Sequence, residues 1–259
     1  MAAVTEPSGS PVPPPWRLRG SGYVLLFTFE PWFLRNGGFL PPELTGERFE
    51  GQLGALMLVD YRSSPVGPYR ELLFAAGRNL RWRHHLFSIT RIFVSTEASA
   101  VSGRENWAIP KQTAEFEVIK ENDSERVIVQ RDRLAEVDLT VAPGRGLAIP
   151  ALGFLAPPSW RTIVQFRDGQ SLETRLSGRG LLRPAKLLDF RTLPKAFPDV
   201  NQGKLVAGFF IKDFRMRFPA ARGRIDPPTL RDSGEPAGVR ERSPRTPQPF
   251  PPRGLSKKR

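Results

Sequence analysis

Apolar residues recur along this chain in short runs, several with a two-residue period, and few follow the 3.6-residue period of a helix face. Gly22 to Phe29 (GYVLLFTF) is a β-rich apolar run, and Gly51 to Tyr61 (GQLGALMLVDY) and Tyr69 to Ala76 are of the same kind. Runs of this length and make-up predict buried strands. Leu86 to Thr96 alternates in part and predicts another. Ala114 to Glu121, Ser124 to Arg131 and Leu134 to Val141 predict three successive strands, the first two joined by a turn at Asn122-Asp123. Thr162 to Phe166 and Leu172 to Leu176 flank Asp168-Gly169, a two-residue hairpin signal. Lys204 to Phe218 closes with a clean alternation, Phe214, Met216 and Phe218 on one face against Arg215 and Arg217 on the other.

Helical signals are short. Pro31 to Arg35 predicts one turn, stopped by Asn36-Gly37-Gly38. Thr96 is placed as the N-cap of a helix from Glu97 to about Arg104. Leu181 to Ala196 reads as a wrapping loop with one helical turn, because Pro184 and Pro194 interrupt it. Many strands, hairpin turns and little helix predict a mainly β fold, an antiparallel closed or nearly closed barrel with a few short peripheral helices. The pattern by itself does not separate a barrel from a sandwich.

Composition sets the boundaries. Residues 1–15 are small, polar and proline-rich, which predicts a disordered arm and lacks the basic and apolar regions of a secretory signal. Residues 16–219 form the expected domain. Residues 220–259 are rich in Pro, Gly, Arg and Ser and cannot bury enough surface to offset chain entropy, so they read as a disordered basic tail. From Arg222 onward ten Lys and Arg stand against four Asp and Glu, so this tail holds about half of the net +13. A basic tail suits nucleic acid, but apart from Phe250 it has no aromatic residue to stack on bases, and a solvated extension is the better reading. With no cysteine there is no disulfide framework and no thiolate metal site, and His84-His85 have no acid cluster beside them in sequence. No apolar run approaches a membrane span. These features predict a soluble cytoplasmic protein that needs no cofactor.

One stretch carries chemistry, Ser102-Gly103-Arg104-Glu105-Asn106-Trp107-Ala108-Ile109-Pro110-Lys111-Gln112. Pro110 fixes its own φ and pushes Ile109 into an extended conformation. Lys111 therefore begins a strand from a defined direction, with the apolar surface of Trp107 and Ile109 close by. A lysine condenses with a carbonyl only as the free amine, and moving its reference pKa of about 10.4 to near neutrality means about 5.4 kcal/mol against the cation. Burial and a neighbouring cation are the two means of doing so.

Gly103-Arg104-Glu105 followed by Pro110-Lys111 resembles the active-site segment of the acetoacetate decarboxylase family, and Val66-Gly67-Pro68-Tyr69-Arg70-Glu71-Leu72-Leu73-Phe74 resembles the segment that delivers a site glutamate. Acetoacetate decarboxylase is itself a known case of a lysine activated in this way. The resemblance spans Trp16 to about Pro219. It implies a β-barrel around an apolar pocket, Lys111 as Schiff-base nucleophile, Glu71 as the site carboxyl, and a homo-oligomer. Arg104 or Arg70 is then the candidate to hold a substrate carboxylate, with Trp107 beside it. The sequence departs from the family at three places. Gln112 replaces a second lysine, the first strand has no arginine (Thr28 falls near its place), and Leu56 stands nearest to where a second glutamate is expected. The implied activity is a lyase acting on a keto acid or another carbonyl ligand. The alternative is a barrel that binds such a ligand and has lost the reaction.

Overall fold

The computed structural model describes residues 10–45, 52–80, 84–153 and 157–224, with the backbone alone at 78–80, 84–86, 152 and 224. Most of the expected N-terminal arm, the basic tail beyond Arg224 and the side chains of His84 and His85 lie outside the described residues.

The chain runs β1 (Trp16–Thr28), α1 (Pro31–Gly37), α2 (Pro42–Thr45), β2 (Leu53–Ser63), β3 (Tyr69–Leu80), β4 (His84–Val94) and α3 (Glu97–Trp107). It continues through β5 (Lys111–Thr113), β6 (Glu115–Glu121), β7 (Ser124–Arg131), β8 (Leu134–Pro143), β9 (Ile149–Leu152), β10 (Thr162–Arg167) and β11 (Gln170–Arg175). The last strands are β12 (Ser177–Thr192), β13 (Lys204–Phe218) and β14 (Arg222–Arg224). The fold is mainly β, as the alternation predicted. Both hairpin signals hold: Asn122 adopts φ 51° between β6 and β7, and Asp168 and Gly169 adopt φ 51° and 74° between β10 and β11. Positive φ at consecutive residues is what a tight two-residue hairpin requires.

Among the described residues the fourteen strands belong to one sheet, ordered β14-β11-β10-β4-β3-β2-β1-β13-β12-β8-β7-β6, with β5 on β4 and β9 on β12. Among the described residues no ladder joins the two ends. The sheet is not closed by hydrogen bonds, so the pairing does not bear out the expected closed or nearly closed barrel. Instead the strands bury both faces. Leu25, Leu56, Leu72, Phe74 and Phe93 pack with Val127, Val129, Leu139 and Val141 of β7 and β8 on one side. Trp16, Tyr61, Tyr69, Leu73, Ile92 and Trp107 form a second apolar cluster on the other.

Most of the segment expected to wrap as a loop, Leu181 to Thr192, is strand instead, and a turn closed by Ala196 N on the Leu193 carbonyl follows it. β12 is continuous because it changes partners at Pro184. Ser177 to Pro184 pair with β13, and Ala185 to Thr192 pair with β8. The missing N–H of Pro184 falls at that hand-over, and its carbonyl still accepts from Gly144 N at 2.6 Å. Proline signals a break in one ladder, and a second ladder takes over there. α3 begins at Glu97 as predicted and runs past Arg104 to Trp107, but Thr96 makes no side-chain cap bond.

The outer face of β1, β13 and β12 places like charges opposite one another. Arg17 faces Arg217, Arg19 faces Arg215, and Arg215 faces Arg179, all exposed and without an acidic partner among the described residues. Directly opposed like charges weaken a strand pair. Arg215→Thr is therefore expected to raise the thermal midpoint by about 1–3 °C at low ionic strength and by less in high salt, measured by calorimetry.

Candidate active site

β3 sends alternate side chains to opposite faces, and this sorts the predicted residues. Tyr69, Glu71, Leu73 and Ala75 face one cavity, while Leu72 and Phe74 join the core on the far side. Arg70 goes with the far side and lines a separate polar hollow with Asp60, Lys120 and Glu125. It cannot share a ligand with Glu71, so the structure does not place it in the site.

Lys111 opens β5 and pairs with Ile92 of β4. Its direction is set by the turn before it. Ala108 caps α3 with φ 53°, its N–H bonds to the Arg104 carbonyl at 3.0 Å, and Ile109 N bonds to the Gly103 carbonyl at 3.2 Å. Arg104 then clips the strand to the helix, donating from Nη1 to the Lys111 carbonyl at 2.8 Å and from Nη2 to Glu97 at 3.0 Å. Its side chain is 44% exposed. Arg104 holds the lysine's backbone and does not face the cavity, contrary to a role in ligand binding. Trp107 does face it, buried edge-on against Trp16 and Phe218, with its Nε1 donating to the Pro219 carbonyl at 2.7 Å.

Lys111 and Glu71 meet. Lys111 is 6% exposed and Glu71 4%. Nζ donates to Glu71 Oε2 at 2.8 Å and to Ser99 Oγ at 3.1 Å, and lies 5.1 Å from the centre of the Tyr69 ring. Tyr61 donates to Glu71 Oε1 at 3.2 Å. Burial pushes the Lys111 amine down, but the Glu71 carboxylate and Tyr69 outweigh it and hold the amine above its ordinary value. Apolar walls alone would favour the uncharged amine, and here the paired carboxylate works against them and favours the proton on Lys111. Burial also raises Tyr69, to about 12, with Lys111 pulling it back, and raises Tyr61 well above its usual value with Glu71 adding to the effect. Both phenols are therefore donors throughout the neutral range.

The amine and carboxyl sit in the wall of a cavity of about 420 Å³. Its charged lining residues, among those described, are Glu71, Lys111 and Arg161. The first strand contributes Trp16, Leu18, Val24 and Leu26, all apolar, so no first-strand cation faces this space. Leu56 belongs to the other core, and Gln112 turns away to accept from Arg131. Among the described residues no group of three His, Asp or Glu gathers to hold a metal ion.

Sequence reasoning missed Ser99, Tyr61 and Arg161. Ser99 and Gly103 lie four apart on α3 and so share a face, a legible sign of close approach. Tyr61 is the strand partner of Tyr69, which no local pattern reveals. Arg161 precedes β10 and donates to the Leu176 carbonyl at 3.3 Å. It carried no motif. The glycine of the Gly103-Arg104-Glu105 segment has a clear physical reason. A Cβ there would stand 2.5 Å from Lys111 Cδ and 2.8 Å from Cε. Alanine suits a helix, so the fold is expected to tolerate Gly103→Ala while the amine is displaced. Trapping of a carbonyl on Lys111 is expected to slow about 10- to 100-fold with an unchanged circular dichroism spectrum.

Comparison with known proteins follows the same lines. The family model described as acetoacetate decarboxylase (ADC) matches residues 3–175. Among solved structures, an acetoacetate decarboxylase from Legionella pneumophila is similar over 85% of this chain and 93% of its own, at 16% identity and a TM-score of 0.60. An acetoacetate decarboxylase-like enzyme from Sphingomonas wittichii RW1 is similar over 86% of this chain and 98% of its own, at 12% identity and a TM-score of 0.62. The enduracididine biosynthesis enzyme MppR, in complex with pyruvate, is similar over 85% and 94%, at 13% identity and a TM-score of 0.55. The comparison with curated protein sequences found no match.

Proposed function

The chain belongs to the acetoacetate decarboxylase family, and from that premise we propose that it is a Schiff-base lyase in which Lys111 condenses with a keto acid and releases carbon dioxide. The observation that carries this reading is the buried contact of Lys111 Nζ with Glu71 Oε2 at 2.8 Å in the wall of an apolar cavity. In the resting site the lysine is an ammonium. As the carbonyl carbon approaches, Glu71 takes one proton from Nζ, and the freed lone pair attacks that carbon. Addition leaves an alkoxide beside a nitrogen that still bears two protons. One of these passes to the oxygen to make the hydroxyl, Glu71 returns its proton to that hydroxyl, which leaves as water, and an iminium remains. In a β-keto acid the bond to the carboxylate, one carbon from the iminium, then breaks, its electron pair flows into the iminium to make an enamine, and carbon dioxide departs. The enamine takes a proton at carbon, and water regenerates the amine. Tyr61 and Tyr69 supply phenol donors beside this centre, and Ser99 keeps Nζ aimed into the cavity. Proton transfer by a group so placed typically contributes 10²–10⁴ in rate.

The pair also removes the need for a second lysine. A neighbouring cation activates an amine by making its proton costly, whereas Glu71 can accept that proton directly. Borohydride reduction in the presence of a keto acid tests the reading. A mass increase confined to the peptide with Lys111, together with carbon dioxide release, is the expected result. An adduct without carbon dioxide would favour a binding protein that no longer turns its ligand over, a reading supported by the loss of a cation at Gln112.

A further inference from the structure

We propose that the ligand is a keto acid whose carbonyl bears a long or bulky apolar substituent, rather than a three- or four-carbon acid. This rests on the Schiff-base reading of Lys111 and goes beyond it to the kind of molecule the site selects.

The cavity has the size for such a ligand. At about 420 Å³ it is nearly three times the ~150 Å³ apolar cavity that suffices to hold benzene. It falls within the range of ~300–1,000 Å³ that takes drug-sized ligands. In a β-keto acid, the kind this decarboxylation acts on, the carbonyl and carboxyl carbons are two bonds apart, so both must lie at Lys111, beside Tyr61 and Tyr69. Apart from Arg161, the rest of the described lining is apolar and offers a small acid no polar partner.

That remaining space has a direction. From Glu71 the cavity wall follows Leu73 and Ala75 on β3, Ala55 and Met57 on β2, and Ile92, Ile89 and Phe87 on β4. Glu71 to Ala75 is four residues of strand, roughly 13 Å. Ala55 and Ala75 are small where larger residues would close the passage, and Phe87 and Trp160 stand at its far end with their rings 6.5 Å apart. An alkyl chain reaching from Lys111 toward Phe87 would be sheathed in apolar surface along its length. Each methylene so buried is worth about fourfold in affinity. Acetoacetate or pyruvate would leave that wall unfilled.

The test measures equilibrium binding and borohydride trapping on the full chain with acetoacetate, 3-oxooctanoate, 3-oxododecanoate and benzoylacetate. The half-saturating concentration of 3-oxooctanoate is expected to lie about 200-fold below that of acetoacetate, from four added methylenes. Ala75→Phe, which narrows the passage, is expected to move the optimum to shorter acids. The proposal is overturned if calorimetry shows acetoacetate binding as tightly as 3-oxooctanoate, whatever adducts form. If chain length raises affinity as expected but borohydride traps no acid on Lys111, the ligand class stands and the Schiff-base reading falls.

Discussion

On the proposed Schiff-base reading, Lys111→Ala is expected to abolish the reducible adduct and to lower turnover at least ~10⁴-fold, because among the described residues no other amine lines the cavity and a covalent step cannot be made without one. The same change is expected to destabilise the fold by about 3–5 kcal/mol, since it strands a buried carboxylate. Urea denaturation measures the second effect and mass spectrometry the first. The two consequences separate cleanly. In the double variant Lys111→Met with Glu71→Leu, two apolar residues replace the pair, and stability is expected to return to the wild-type level or above while the adduct stays absent. An adduct of undiminished yield on Lys111→Ala would refute the assignment of the nucleophile. A double variant as unstable as the single would show that the strain lies elsewhere than in the unpaired charge.

Glu71→Gln is expected to cost about 10²–10⁴ in the rate of adduct formation, because the amide neither accepts the amine's proton nor returns it to the departing water. Its pH dependence is more diagnostic. In the wild type the carboxylate holds Lys111 above its ordinary value. That contribution to stability is fully present below the unfolded value of about 10.4 and is lost as pH rises through the higher folded one. In Glu71→Gln the carboxylate's pull is gone, and burial, the largest influence and now opposed by Tyr69 alone, pushes the amine down. The sign then reverses: the variant carries its full penalty at low pH and recovers stability as pH climbs from its lowered folded value toward 10.4. The residual trapping rate should likewise rise with pH at a lower midpoint than in the wild type, because free amine appears earlier. Cyanoborohydride trapping across about pH 6–11 reads this directly. A midpoint that stays put or moves upward would mean that Glu71 is not what keeps Lys111 protonated.

The site was legible in part, for identifiable reasons. Lys111 stood out because Pro110 fixes the backbone before it, and the turn that follows from Ala108 to Pro110 does aim it. Glu71 was picked out through its neighbours in sequence, and its carboxylate lies 2.8 Å from Lys111 Nζ. Arg70 and Arg104 were expected to serve the ligand, and neither faces the cavity. For Arg70 the reason was available in the chain: adjacent strand residues point apart, so Arg70 and Glu71 cannot both face one cavity. For Arg104 it was not, since its bond to the Lys111 carbonyl depends on how α3 returns to the sheet. Leu181 to Ala196 was misread because proline removes a donor from a ladder, and only the pairing of β12 with both β13 and β8 shows that the donor was not needed there.

Local sequence determined what depends on neighbours a few residues apart: the alternation of Phe214, Met216 and Phe218, the turns at Asn122 and Asp168-Gly169, and the lysine behind its proline. These follow from side-chain period and backbone sterics, which act within a segment. The tertiary structure alone decided the charge on Lys111, the presence of Ser99 and Tyr61 beside it, the open hydrogen-bonding of the sheet, and the size of the cavity. Each of these depends on distances between residues remote in sequence. Glu71 lies forty residues before Lys111, and its carboxylate at 2.8 Å, rather than the surrounding apolar wall, sets the protonation of the amine.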